Sequence, residues 1–350
     1  MPRLDPTGVG LVAALVLAAF AFERALPWLT RPGWALALFP RYRIKVVGVE
    51  NVPRTGPALL VSNHVSWVDG FILTAACPRR VRFLVNAAYV DFPIIRHLAG
   101  RVGMIPVPAA GPHAQKAAIR AAQAALDAGE LVGIFPEAQL TRTGLTGPFF
   151  RGLEVIIGRR TDVPVVPAAL DNLWGSIFSH SGGRFLGKVP KGLRRTVGLA
   201  FGPPLMPPIT AFAARQAVLE AGVHAFELRG RPIPLPETID LDGPRLDHPT
   251  LGLLAVTARD FDQGGIRQLG GKPGTLGQPA PGVALRVVDD LGTPAKPDEE
   301  GRLQALVAGR GGWVEVGCRA ALDRDGFVRT AEGQDRVSSG VGESADPRSA

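Results

Sequence analysis

Apolar runs recur along this chain at short intervals. Residues 58–61 (Ala-Leu-Leu-Val), 131–135 and 163–170 are almost wholly apolar, the pattern of strands buried on both faces. Residues 42–49 alternate like a half-buried strand, and 82–85 and 196–201 read as further strands. Helical segments lie between them: 67–76, with Pro78 just past its end; the Ala-rich 113–127, with Gly129 at its C-terminal cap; and 211–229. Strands alternating with helices predict an α/β fold around a mostly parallel or mixed sheet. Beyond residue 236 the texture changes. Segments such as 272–283, 286–289, 299–303 and 322–327 read as short strands joined by Gly and Pro turns. The run Arg231-Pro232-Ile233-Pro234-Leu235-Pro236 is stiff and proline-rich, and predicts a linker over 233–240. Residues 338–350 predict a disordered tail.

The N-terminal apolar run, 8–22, is 15 residues long. As a helix it reaches about 22 Å, short of a hydrocarbon core of about 30 Å. A second apolar patch, 34–39, follows Pro27 and Pro32, and Trp28, Arg31 and Trp34 stand at the margins. The two pieces fit a re-entrant or interfacial anchor over 1–34. A signal peptide cleaved after Ala19-Phe20-Ala21 is the competing reading, against which Arg3 is offset by Asp5.

The candidate chemistry sits just past the strand at 58–61, in Ser62-Asn63-His64-Val65-Ser66-Trp67-Val68-Asp69-Gly70. A histidine and an aspartate five residues apart can be folded toward each other at a helix start. The imidazole then takes a proton from a hydroxyl while the carboxylate fixes its tautomer. Of the six histidines only His64 has this spacing. A second block, 130–144, ends its apolar run at Phe135, and Pro136 cannot continue a ladder. Glu137 and Arg142 are thereby placed on a loop at a strand end, where open α/β sheets bind ligands.

With Gly103-Met104-Ile105-Pro106-Val107 and Val163-Pro164-Val165-Val166-Pro167-Ala168-Ala169-Leu170, these blocks resemble, in order and spacing, the glycerolipid acyltransferase family of 1-acylglycerol-phosphate type. The narrower likeness is to the acyltransferase half of the bifunctional 2-acylglycerophosphoethanolamine acyltransferase/acyl-acyl-carrier-protein synthetases. Phe149-Phe150-Arg151-Gly152-Leu153-Glu154 and Leu173-Trp174-Gly175-Ser176-Ile177-Phe178-Ser179 carry that part. The resemblance covers about residues 40 to 230. It implies a two-layer α/β acyltransferase fold over 35–232 and acyl transfer from a thioester to a lysophospholipid hydroxyl. His64 and Asp69 would be catalytic. Glu137 would position the glycerol or head group, and Arg142 or Arg151 would pair with the lipid phosphate. Asn63 and the loop amides near Gly103 would polarise the thioester carbonyl. Acyl-carrier protein or acyl-CoA would be the donor, and no metal or cofactor is implied. A catalytically silent lipid- or carrier-protein binder is the alternative. In one departure, the glycine usual after the family's Glu is Ala138 here. In another, the family's common Arg in that block is displaced to Arg142.

Residues 241–337 resemble the late part of an adenylate-forming acyl ligase, reduced by deletion; an unrelated disordered tail is the alternative. No Gly- and Ser/Thr-rich phosphate loop with a lysine occurs. The triplet that would end in the ribose-holding Asp falls on Val316-Gly317-Cys318, and the hinge Arg falls near Gly333. No ATP chemistry is therefore expected.

Composition sharpens two points. Residues 1–235 carry 26 Lys and Arg against 13 Asp and Glu, and residues 236–350 carry 13 against 18. A basic front half suits an anionic membrane surface, placed at the cytoplasmic face of the inner membrane, or an acidic carrier protein. Nucleic acid is not expected, because aromatics are not interleaved with the basic residues. The two cysteines, Cys77 and Cys318, are isolated, with neither metal spacing nor a disulfide framework.

Overall fold

The computed structural model describes residues 25, 29–87, 103–107, 112–183, 188, 194–230, 234–263 and 265–330. The apolar run 8–22, Trp28, the start of the proline-rich run at 231–233, Gly333 and the tail 338–350 lie outside the described residues.

The front half is a seven-stranded sheet. In chain order its strands are β1 (Tyr42–Val47), β2 (Ala58–Ser62), β3 (Val81–Asn86), β4 (Met104–Val107), β5 (Leu131–Ile134), β6 (Val165–Asp171) and β7 (Arg195–Phe201). Their spatial order is β1-β7-β6-β2-β5-β3-β4. Strands β2 to β6 are mutually parallel, and β7 runs antiparallel to β6 while pairing in parallel with β1. The expected α/β architecture with a central mixed sheet is thus present. The C-terminal ends of β2 to β6 share one edge, so side chains from 62–69 and 135–147 meet there.

Helices cover both faces of this sheet. Residues 29–38 (α1) and Asp69–Ala76 (α2) lie on one face. Pro112–Asp127 (α3), Gly152–Ile157 (α4) and Ala211–Glu227 (α5) lie on the other. Strand β2 is buried at every position, and its side chains alternate between the two cores: Ala58 and Leu60 face α2, Leu59 and Val61 face α3 to α5. A central parallel strand must be apolar on both faces, and so its run is unbroken.

The C-terminal strands are ordered over 239–263 and 265–330, so a disordered tail is set aside for these stretches. They are β8 (Ile239–His248), β9 (Gly252–Ala258), β10 (Phe261–Gln263), β11 (Ile266–Gln268), β12 (Gln278–Pro279), β13 (Val283–Val288), β14 (Gly301–Val307), β15 (Trp313–Leu322) and β16 (Val328–Thr330). They form antiparallel sheets β12-β9-β8 and β13-β14-β15-β16 and the hairpin β10-β11. Their core takes in Leu145 from the front half, with Phe212 of α5 against it. Val223 and Leu219 of α5 pack with Ala284, Leu306 and Trp313. Gly282 lies so close to the Phe226 ring that a Cβ would sit 2.9 Å from it. The proline-rich run expected as a linker is docked over its described part: Trp174 Nε1 donates to Glu237 Oε2 at 3.0 Å, and Thr238 Oγ1 donates to the Thr143 carbonyl.

The C-terminal strands therefore cover an apolar face of the front half. Ending the chain at residue 233 would expose Leu145, Leu219, Val223 and Phe226. Each such side chain contributes roughly 1.5–3 kcal/mol when fully buried, against a total stability of about 5–15 kcal/mol. The truncated chain is expected to aggregate or to lose its cooperative melt by circular dichroism. A melt at the full chain's temperature would show that the face is covered to no energetic effect.

Candidate active site

Asp69 is the first residue of α2, and its neighbour Val68 supplies no side-chain cap. The carboxylate turns back over the preceding loop instead. Its Oδ2 accepts from Val65 N at 2.6 Å and Ser66 N at 2.9 Å, and lies 2.9 Å from His64 Nδ1. Asp69 is fully buried, while the His64 side chain is 22% exposed. Burial pushes the Asp69 carboxyl up from the usual carboxylate range, and His64 and the two N–H bonds act against it. With Nδ1–H donated to Asp69, the imidazole presents Nε2 as the free base.

The ring is also fixed from behind. Gly133 in β5 has no Cβ, and Phe83 of β3 fills the space: a Cβ there would meet the Phe83 ring at 2.4 Å. Phe83 stacks on Phe135 at 5.5 Å between centroids, and Phe135 stacks on His64 at 4.0 Å. Gly133 thus makes room for the stack that carries the histidine.

Glu137 is buried at the end of β5 and joins two loops. Its Oε1 accepts from His64 N and its Oε2 from Gly147 N, both at 2.8 Å. Thr141 N donates to the His64 carbonyl at 2.9 Å, so the His64 backbone is held at both ends. Burial pushes Glu137 up to about 7, opposed by the two N–H bonds and by the charges of His64 and Arg215.

The other expected site residues are placed differently. Asn63 Nδ2 donates to the Leu170 carbonyl at 2.9 Å and its Oδ1 accepts from Leu170 N at 2.8 Å. Its oxygen and one of its two N–H groups thus pin β2 to β6. Gly103 precedes β4, so it stands at the sheet edge opposite His64, where a Cβ would strike the Val81 carbonyl at 2.6 Å. Arg142 Nη1 donates to His180 Nδ1 at 2.7 Å, and its guanidinium lies over the Phe261 ring. Burial, then Arg142, lowers His180 to about 4, which keeps it a neutral acceptor. Arg151 is 86% exposed and touches only Glu154 among the described ion pairs.

Arg215 of α5 was not expected here. It is 1% exposed, with Nε donating to the Gly147 carbonyl at 2.9 Å and Nη2 to the Thr146 carbonyl at 2.8 Å. The available signal was its register, since Phe212, Arg215, Leu219, Gly222 and Phe226 fall on one helical stripe. A cavity of about 130 Å³ lies behind the two loops, lined by Asn63, Glu137, Leu145, Trp174, Phe226 and Pro281 among others. It is of the size that takes a benzene-sized guest, too small for a long acyl chain. Among the described residues no cluster of side chains suits a metal ion.

Residues 43–171 match the family described as Acyltransferase. The chain is 30% identical over 139 residues to a chloroplastic 1-acyl-sn-glycerol-3-phosphate acyltransferase of Brassica napus, covering 39% of this chain and 40% of that protein. It is 29% identical over 132 residues to a 1-acyl-sn-glycerol-3-phosphate acyltransferase of Borreliella burgdorferi, covering 37% of this chain and 52% of that one. Among solved structures it is similar to the 1-acyl-sn-glycerophosphate acyltransferase PlsC of Thermotoga maritima, at 19% identity and a TM-score of 0.46, over 61% of this chain and 81% of that chain. The chain thus spans about two fifths of the Brassica relative and about half of the Borreliella one. The matched region takes in His64, Asp69 and Glu137.

One local feature is open to direct test. Ala138 sits at φ +56°, its N–H bonded to the Phe135 carbonyl at 2.9 Å, and it is exposed. A left-handed conformation costs an L-residue roughly 1–2 kcal/mol, while glycine loses about 0.5–1 kcal/mol more chain entropy on folding. The strain exceeds the entropy, so Ala138→Gly is expected to stabilise the protein by about 0.5–1 kcal/mol in denaturant unfolding. A loss of stability would mean that the turn is not strained.

Proposed function

We propose that this protein is a membrane-associated acyltransferase that moves an acyl chain from an acyl thioester, on acyl-carrier protein or coenzyme A, to the free hydroxyl of a lysophospholipid. The observation that carries this reading is the 2.9 Å contact between His64 Nδ1 and the buried Asp69 carboxylate, within a region that matches the Acyltransferase family. His64 Nε2 takes the proton of the acceptor hydroxyl as its oxygen attacks the thioester carbonyl. The tetrahedral intermediate collapses, the C–S bond breaks, and the imidazolium returns its proton to the leaving thiolate. Asp69 holds the tautomer and stabilises the imidazolium. Glu137 acts through the loop it fixes, since both its oxygens hold peptide N–H groups. Of the two candidate phosphate partners Arg151 is the more exposed, with Glu154 beside it, whereas the Arg142 guanidinium already contacts His180 and Phe261. The activity named for the Brassica and Borreliella relatives favours a 1-acylglycerol-phosphate acceptor.

Membrane association has support from α1 and its end, where Leu36 is 74% and Phe39 60% exposed beside a basic front half. Such a surface lies in an interface with anionic head groups, and we assign it to the cytoplasmic face of the inner membrane. No helix among the described residues is long and apolar enough to cross a membrane. The C-terminal strands read as a ligase remnant without ATP chemistry. Cys318, in the place of the ribose carboxylate, is a buried thiol pushed up by burial, and a thiol is a weak acceptor.

Two assays test this. His64→Ala is expected to lower acyl transfer from labelled donors to lysolipids by roughly 10²–10⁴ with the fold intact, and Asp69→Asn to remove a large part of the same. Wild-type turnover in His64→Ala would end the mechanism. Free fatty acid, ATP, magnesium and carrier protein are expected to give neither acyl-carrier product nor pyrophosphate. Turnover above a boiled control would show that adenylation survives in residues 241–337.

A further inference from the structure

The mechanism leaves Arg215 without a task. It is a fully buried guanidinium with Nη1 lacking a hydrogen-bond partner. A cation so placed costs several kcal/mol of desolvation, and it is held where a chain of contacts ends at the catalytic base. From α5 it donates to the carbonyls of Thr146 and Gly147. The Gly147 N–H binds one oxygen of Glu137, and the other oxygen binds the N–H of His64. On its far side lies Gly326, where a Cβ would fall 1.9 Å from Arg215 Nη1. The turn at 323–327 closes over it, with Asp323 accepting from the N–H groups of Asp325 and Phe327. Lys272 bridges Asp323 and Asp325, at 2.6 and 2.5 Å.

We infer that Arg215 is a positioning residue for His64, acting through the Gly147 peptide and the Glu137 carboxylate, and that the C-terminal strands serve the acyltransferase site by sealing this guanidinium in place. The inference rests on the acyltransferase reading for its kinetics; its spectroscopy rests on the two hydrogen bonds of Glu137 and on the burial that raises its carboxyl. Glu137 faces His64 from its own loop system and Arg215 from α5; Arg215 in turn faces Glu137 and the two Lys272-bound aspartates. Ionised Glu137 accepts both N–H bonds. Once it is protonated, one oxygen becomes a hydroxyl that accepts more weakly, and the clamp loosens. The sign follows: burial raises Glu137 to about 7, and Arg215 acts to lower it. Removing the cation moves the loosening to higher pH.

The test uses the full chain in detergent with ¹⁵N-labelled histidine and glycine. The backbone amides of His64 and Gly147 are followed through pH, and kcat and KM are measured over the same range. In the wild type both amides are expected to titrate together near pH 7, with kcat falling on the acid side. Arg215→Met is expected to shift both amide midpoints and the acid limb of kcat upward. Its kcat should fall about 10- to 100-fold with KM within about twofold, because misplacing a reacting group by about 1 Å costs up to about 10²-fold. Arg215→Lys keeps the charge but not the fork, so it is expected to restore the midpoint and only part of kcat. Gly326→Ala should move the same readouts less far, and with Arg215→Lys it carries the test if Arg215→Met does not fold. Unshifted amide midpoints, or shifted midpoints with wild-type kcat, would overturn the inference. Absence of acyl transfer in the wild type would overturn the functional reading and leave the amide titrations to decide the inference by themselves.

Discussion

Glu137 is a carboxyl almost wholly out of water and, among the described residues, in no ion pair, and the surrounding loops are arranged around that fact. A buried charge must be met by hydrogen bonds. The donors that reach it are the peptide N–H groups of His64 and Gly147, one from the end of β2 and one from the loop after β5. The carboxylate thus joins two loops that the sheet only brings near each other. The same peptide of His64 is tied at its carbonyl by Thr141, and its imidazole by Asp69. His64 is thus held at its N–H, its carbonyl and its imidazole. Pre-organisation of this kind is costly to build and useful only if geometry at Nε2 matters.

Much of this was legible in the chain. Central parallel strands are buried on both faces, so 58–61, 131–135 and 163–170 stood out as unbroken apolar runs, and β2, β5 and β6 fall on them. The His64–Asp69 pair was legible because five residues across a helix start is a distance a tight loop can close. The errors have local causes. Helix α2 begins at Asp69 rather than 67, because Ser66 is drawn into a bridge with Ser179 and Trp67 N bonds the Phe178 carbonyl. Helix α4 has only six residues, too few for a period to declare itself. Gly103 belongs to a recognisable block, yet a block does not say which end of its strand faces the site. Asn63 stands next to His64 in sequence, and its oxygen and one N–H reach across to β6, a pairing that the sequence does not declare.

What pattern reading could not reach is pairing over long separations. The register of Arg215 on the apolar stripe of its helix signals burial but names no partner. Only the fold shows Thr146 and Gly147 on one side of it and Gly326 on the other. The proline-rich run has the same lesson. Its composition is that of a spacer, but Trp174 and Thr143 give Glu237 and Thr238 specific partners, which makes a strap of it.

The C-terminal strands can be judged by where their special residues fall. Positions expected to handle nucleotide are apolar or sulfur-bearing, as at Cys318. Positions against the front half are demanding ones. Gly282 admits the Phe226 ring, Gln216 reaches from α5 to the Leu285 carbonyl, and Glu227 accepts from Gly309 N. A module retained merely as a passenger would need none of these fits, since an exposed helix face is satisfied more cheaply by polar side chains than by a second core. Leu145 lies in that second core, and it comes two residues before the glycine whose N–H Glu137 holds. The packing that holds His64 therefore runs from β2 through the loop after β5 to the C-terminal sheets, with Leu145 packed across the boundary drawn from composition near residue 233.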